Sequence, residues 1–157
     1  MVKSQQSFTI VELLIVIALV AVIASIGIVS LFGYRQRQHL KLQTEELVAV
    51  LRNAQNRSLS QESGSRWGVH FENPTGDAND FYDLFSGTSY SASAVVSRTP
   101  LPPALQFDVP SSGASATIIF APVTGFPNAS TTIKISLVNN PNASSAITIN
   151  SNGVINF

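Results

Sequence analysis

From Leu13 to Tyr34 the chain runs 22 residues without a charge, and Ser25 and Ser30 are the only plainly polar interruptions before the closing tyrosine. A helix rises about 1.5 Å per residue, so this run reaches across a hydrocarbon core roughly 30 Å thick. One carboxylate, Glu12, stands at its head. An acid there is costly in lipid unless something neutralises it, which marks it as a functional candidate. A secretory signal peptide needs a shorter apolar region, a small-x-small cut site and a stronger basic start than Lys3 alone, so an anchor fits better.

The helix is expected to continue past the run. No Gly or Pro occurs between Arg35 and Ser60, and Leu40, Leu47, Leu51, Ala54 and Ser58 recur at a 3–4 spacing that gives one apolar face. One helix from Phe8 to about Ser60 is predicted, with Gly27 and Gly33 as weak points and Gly64 as the residue that closes its C-terminus. After residue 65 the pattern turns to strands: Trp67–Glu72, Phe81–Phe85, Ala94–Arg98, Leu105–Val109, Thr117–Phe120, Thr131–Val138, Ala146–Asn150 and Val154–Phe157. Ser151-Asn152-Gly153 joins the last two as a hairpin. The 87–93 connection is polar and reads as mobile, and no internal repeat stands out.

Phe8-Thr9-Ile10-Val11-Glu12-Leu13-Leu14-Ile15-Val16-Ile17-Ala18 resembles the start of the type IV pilins and type II secretion pseudopilins. Further on, Trp67-Gly68-Val69-His70-Phe71, Tyr82-Asp83-Leu84-Phe85 and Leu101-Pro102-Pro103-Ala104-Leu105-Gln106-Phe107 look like the H-type pseudopilins of the general secretion pathway and the related T-type minor fimbrial pilins. The resemblance implies an α+β, pilin-like fold. Residues 1–7 form a leader, 8–34 the membrane-spanning half of the helix, 35–62 its amphipathic half, and 63–157 an antiparallel β-domain. It also implies that a prepilin peptidase cuts between Ser7 and Phe8 and methylates the new amine of Phe8. The family usually has Gly where this chain has Ser7, many members carry a helix-bending Pro that is absent here, and many close a C-terminal loop with a disulfide.

In that family the acid at the position of Glu12 pairs with the free amine of a neighbouring subunit. Opposite charges attract strongly in low dielectric, and each is costly to bury unpaired, so such a pair fixes register in a filament. The plainer alternative is a headgroup-level acid favoured by the helix dipole. Implied partners are other pilin-type subunits, the peptidase and an inner-membrane assembly platform. Implied location is a single pass of the inner membrane with the C-terminal domain outside the cytoplasm. The basic residues oppose that orientation, since Arg35, Arg37 and Lys41 follow the run and only Lys3 precedes it; the family orientation is the one adopted.

Composition narrows the chemistry. The chain has no cysteine, which removes disulfides, thiolate zinc sites and thiol nucleophiles. Lys and Arg number 9, as do Asp and Glu, and loss of residues 1–7 would take Lys3 and leave one net negative charge. A filament-tip binding subunit that engages DNA or an exported substrate is the alternative, and its DNA arm is the lesser one, since no basic run interleaved with aromatics is present. His39 and His70 lack metal spacing and read as solvated, His70 on the outer face of a strand. Asp77, Asp80 and Asp83 read as a solvated acidic loop, with calcium as the competing reading. Asn56-Arg57-Ser58, Asn128-Ala129-Ser130 and Asn142-Ala143-Ser144 match glycosylation sequons of a kind common by chance. No cofactor, metal or catalytic residue is expected, and the chain reads as a structural subunit rather than an enzyme.

Overall fold

The computed structural model describes residues 9–76 and 78–157, with the backbone alone at 25–32. Helix α1 spans Ile10–Leu59, and its backbone stays helical through Gly27 and Gly33. The chain divides into two units, Met1–Arg37 and Gln38–Phe157.

In the first unit, Thr9 opens the helix: its hydroxyl accepts the Glu12 N–H at 3.3 Å, and its carbonyl accepts the Leu13 N–H at 3.2 Å. This is half of a capping box, and Thr9-Ile10-Val11-Glu12 has the Ser/Thr-x-x-Glu spacing that produces it. Every described side chain from Ile10 to Ile23 is exposed on all sides of the helix.

The second unit begins with the amphipathic part of α1. Leu40, Leu47, Leu51, Ala54 and Ser58, the stripe read from the sequence, are all buried, and Thr44 and Val48 join them. Leu47 and Leu51 are fully buried, and truncating such a leucine to alanine costs about 2–5 kcal/mol. Buried Ser58 is no flaw in the stripe. Its hydroxyl lies 3.1 Å from the Phe120 carbonyl and accepts the Trp67 N–H at 2.8 Å, tying the helix to two strands.

The helix ends at Leu59, close to the expected Ser60, but Gly64 is not the first residue to close it. Gln61 takes the left-handed conformation (φ 53°), and Ser63 and Gly64 follow it in a short 3₁₀ turn, Glu62–Gly64. A polar side chain therefore makes the first reversal, and Gly64 only completes it.

Two antiparallel four-stranded sheets follow. The first contains β1 (Trp67–Asn73), β2 (Phe81–Ser86), β3 (Val95–Pro100) and β5 (Ala114–Phe120), in the order β3-β2-β1-β5. The second contains β4 (Leu105–Val109), β6 (Thr131–Leu137), β7 (Asn140–Ile149) and β8 (Ile155–Asn156), in the order β4-β6-β7-β8. Trp67, Val69, Phe71, Tyr82, Ile118 and Phe120 from the first sheet meet Phe107, Ile133, Ile135, Ile147 and Ile149 from the second and the α1 stripe in one core. Phe71 bridges the sheets, edge-on to Phe107 at 5.7 Å between ring centroids.

Polar side chains fix the joints. Asn73 donates to the carbonyls of Phe107 and Pro110, both at 2.9 Å, and the Asp80 carboxylate accepts the Phe107 N–H. Gln55, on α1, donates to the carbonyl of Gly125 at 3.0 Å and to that of Gly153 at 2.8 Å. Gly153 has φ 80°, and an added Cβ there would sit 2.8 Å from the Gln55 amide and 2.9 Å from the Gly125 carbonyl oxygen. The predicted 151–153 hairpin thus doubles as a seat for the helix.

Candidate functional site

The candidate residues Ser7 and Phe8 lie outside the described residues, as do the whole 1–7 leader and Asp77. Glu12 is described. Its carboxylate is exposed in the first turn of α1, where the positive end of the helix dipole favours an anion. Beyond it, Leu13, Leu14, Ile15, Val16 and Ile17 are 48–61% exposed and unpartnered among the described residues. An apolar surface that encircles a helix must be covered by lipid or by other helices. Among the described residues, no helix is long and apolar enough to cross a membrane; side chains 25–32, inside the uncharged run, fall outside that description.

A second feature was not read from the sequence. Arg98, Asp83, His70 and Thr117 lie directly opposite one another on β3, β2, β1 and β5, forming one polar row across the first sheet. Asp83 is fully buried and takes two bonds from Arg98, Nε at 2.8 Å and Nη2 at 2.7 Å, and a third from the Tyr90 hydroxyl at 2.7 Å. Burial pushes the Asp83 carboxyl up, but the bonds from Arg98 and Tyr90 and the nearby positive charge outweigh it and hold the group below the usual range. His70 sits 2.7 Å from the Thr117 hydroxyl through Nδ1 and 2.9 Å from Glu72 through Nε2. A neutral ring satisfies both by carrying its proton on Nε2.

Tyr90 covers this row. Its ring stacks on His70 at 3.6 Å and stands edge-on to Phe85 at 5.4 Å. The connection that read as mobile is therefore strapped to the sheet. Likewise His70 is buried, not solvated: alternation along β1 does place it on the outer face, but the strap turns that face into an interior. His39 is exposed.

The acidic set is also corrected. Asp80 and Asp83 are buried, not solvated, and each is committed elsewhere: Asp80 to the Phe107 N–H, Asp83 to Arg98 and Tyr90. Burial raises the Asp80 carboxyl, and the Phe107 N–H offsets only part of that. No group of three His or acidic side chains positioned to hold a metal occurs among the described residues. The polar row places a hydroxyl, an imidazole and a carboxylate together, but Asp83 is held by Arg98 and Tyr90, both ring nitrogens of His70 are taken by Thr117 and Glu72, and Tyr90 lies flat on the imidazole. It is an internal brace.

The chain matches the family model described as a prokaryotic N-terminal methylation motif over residues 2–28. Its fold is similar to the crystal structure of the type IV minor pilin FimU of Pseudomonas aeruginosa, with a TM-score of 0.50 and 16% identity, over 74% of this chain and 90% of that one. No curated protein matches it by sequence. The architecture is α+β and pilin-like, an N-terminal helix followed by antiparallel sheets. The chain thus carries a prokaryotic N-terminal methylation motif at its start and a pilin-like fold beyond it.

Proposed function

We propose that the chain is a minor structural subunit of a type IV pilus or a type II secretion pseudopilus. The observation that carries this reading is a methylation motif at residues 2–28 in register with an all-round apolar helix and a pilin-like C-terminal unit. Residues 1–7 are the leader, 8–34 the membrane half of the helix, 35–62 its amphipathic half and 63–157 the outer domain. A prepilin peptidase cuts between Ser7 and Phe8 and methylates the Phe8 amine. The subunit rests in the inner membrane with its C-terminal domain outside the cytoplasm until an assembly platform draws it into the filament. There the exposed residues from Ile10 to Ile23 pack against neighbouring helices, and Glu12 takes the Phe8 amine of an adjacent subunit. Each charge neutralises the other where water is scarce.

Two results test this. Protein recovered from its native cell should begin at N-methylated Phe8 by mass spectrometry; an intact Met1, or a cut beyond the apolar run, refutes the reading. Glu12→Ala should leave that processing intact while cutting incorporation into sheared filaments by about tenfold or more, as loss of one partner of a buried pair demands. Unchanged incorporation removes the register role from Glu12.

A further inference from the structure

We infer that Arg35 and Arg37 form a collar for anionic phospholipid headgroups at the C-terminal end of the apolar run; this rests on the membrane reading above. Both arginines are exposed on α1, and no acidic side chain pairs with either among the described residues. Lys41, by contrast, leans on Glu45 at 3.8 Å and belongs to the second unit.

Their spacing identifies the occupant. Residues two apart on a helix point about 200° away from each other, since each residue turns it about 100°. Arg35 and Arg37 therefore lie on opposite sides of α1, and Tyr34 falls between them around the circumference. A protein groove meets one face of a helix. A plane of headgroups surrounds it and engages both arginines at once. The collar is also continuous with the uncharged Leu13–Tyr34 run, so it falls at the depth where the hydrocarbon ends. An aromatic beside basic residues at that depth suits the boundary between acyl chains and phosphates. Anionic phosphate supplies the complementary charge, and the arginine fork binds it in two-point fashion.

The test uses the full chain, which lacks native cysteine, carrying Gln36→Cys with an environment-sensitive label. It is reconstituted into vesicles of neutral phosphatidylcholine, or of the same lipid with about 30% phosphatidylglycerol, and quenched by neutral acrylamide. Quenching should fall about threefold in the anionic vesicles and return in about 0.5 M salt, where screening shortens to a few ångströms. Arg35→Gln/Arg37→Gln should abolish the difference between the two lipids. Equal quenching in both lipids, or the same lipid response in the double variant, overturns the collar. Failure of the protein to float with either vesicle overturns the membrane reading itself, and the collar with it.

Discussion

Arg98→Ala should destabilise the C-terminal unit by about 3 kcal/mol at neutral pH, the cost of stranding a buried carboxylate. Asp83 has no solvent exposure, whereas Arg98 keeps about half of its side chain in water, so the burden of the pair falls on the aspartate. The Tyr90 hydroxyl stays on Asp83 in the variant and limits the loss. The pH dependence carries the signature. In the native chain the Asp83 carboxyl is depressed, so its contribution is present above the ordinary carboxylate range and is lost as pH falls through the depressed value. Without Arg98, burial is opposed only by the Tyr90 bond and the His70 charge, so the same carboxyl rises from its native position. Its penalty then fades on acidification as the group takes up a proton. The gap between the native chain and Arg98→Ala should therefore narrow below about pH 4. Trp67, the single tryptophan and a buried one, reports urea unfolding of this unit at each pH. A gap under 1 kcal/mol at pH 7, or one that widens in acid, contradicts the brace.

Gly68→Val should be more severe, exceeding about 3 kcal/mol and leaving little folded protein at 37 °C. Gly68 sits on β1 between Phe85 of β2 and Ile119 of β5. A Cβ added there would meet the Ile118 carbonyl oxygen at 2.5 Å and the Phe85 ring at 2.8 and 2.9 Å. The oxygen belongs to a paired strand and cannot yield without loss of ladder bonds. The ring is the one against which Tyr90 stands edge-on, so displacing it also disturbs the strap. Thermal unfolding followed by Trp67 fluorescence, with Gly68→Ala as the milder step, should give a drop on the order of 10 °C for alanine. Native-like melting of both variants would show that the strand has room which the structure denies it.

What could be read from the sequence follows from where the information lies. The α1 stripe was legible because burial and helical period coincide at Leu40, Leu47, Leu51 and Ala54. The early strands were legible because Trp67, Val69 and Phe71 alternate. β7 was truncated in the reading, since Asn140-Pro141-Asn142-Ala143-Ser144-Ser145 has no apolar alternation and pairs with β6 through its backbone. The polar row was illegible for a different reason. Arg98, Asp83, His70 and Thr117 come together only through the register of four strands, and the strap above them is Gly-Thr-Ser-Tyr-Ser, a composition that signals a loop and says nothing of what one tyrosine can grip. Thr9 was legible and missed: the Thr-x-x-Glu spacing sits inside the motif and was read only for its acid. The end of α1 near Ser60 was legible, but its first left-handed residue is Gln61, where Gly64 was the natural candidate.

The Gln55 amide binds carbonyls 70 and 98 residues further along the chain. During synthesis the helix is finished long before either acceptor exists, so the Gln55 amide waits in water until residues 125 and 153 have been made. Contacts this distant in sequence are slow to form and are withheld from any shortened product. The loops at Gly125 and Gly153 thus set a late step: the last polar tie between helix and sheets closes only once residue 153 has been made.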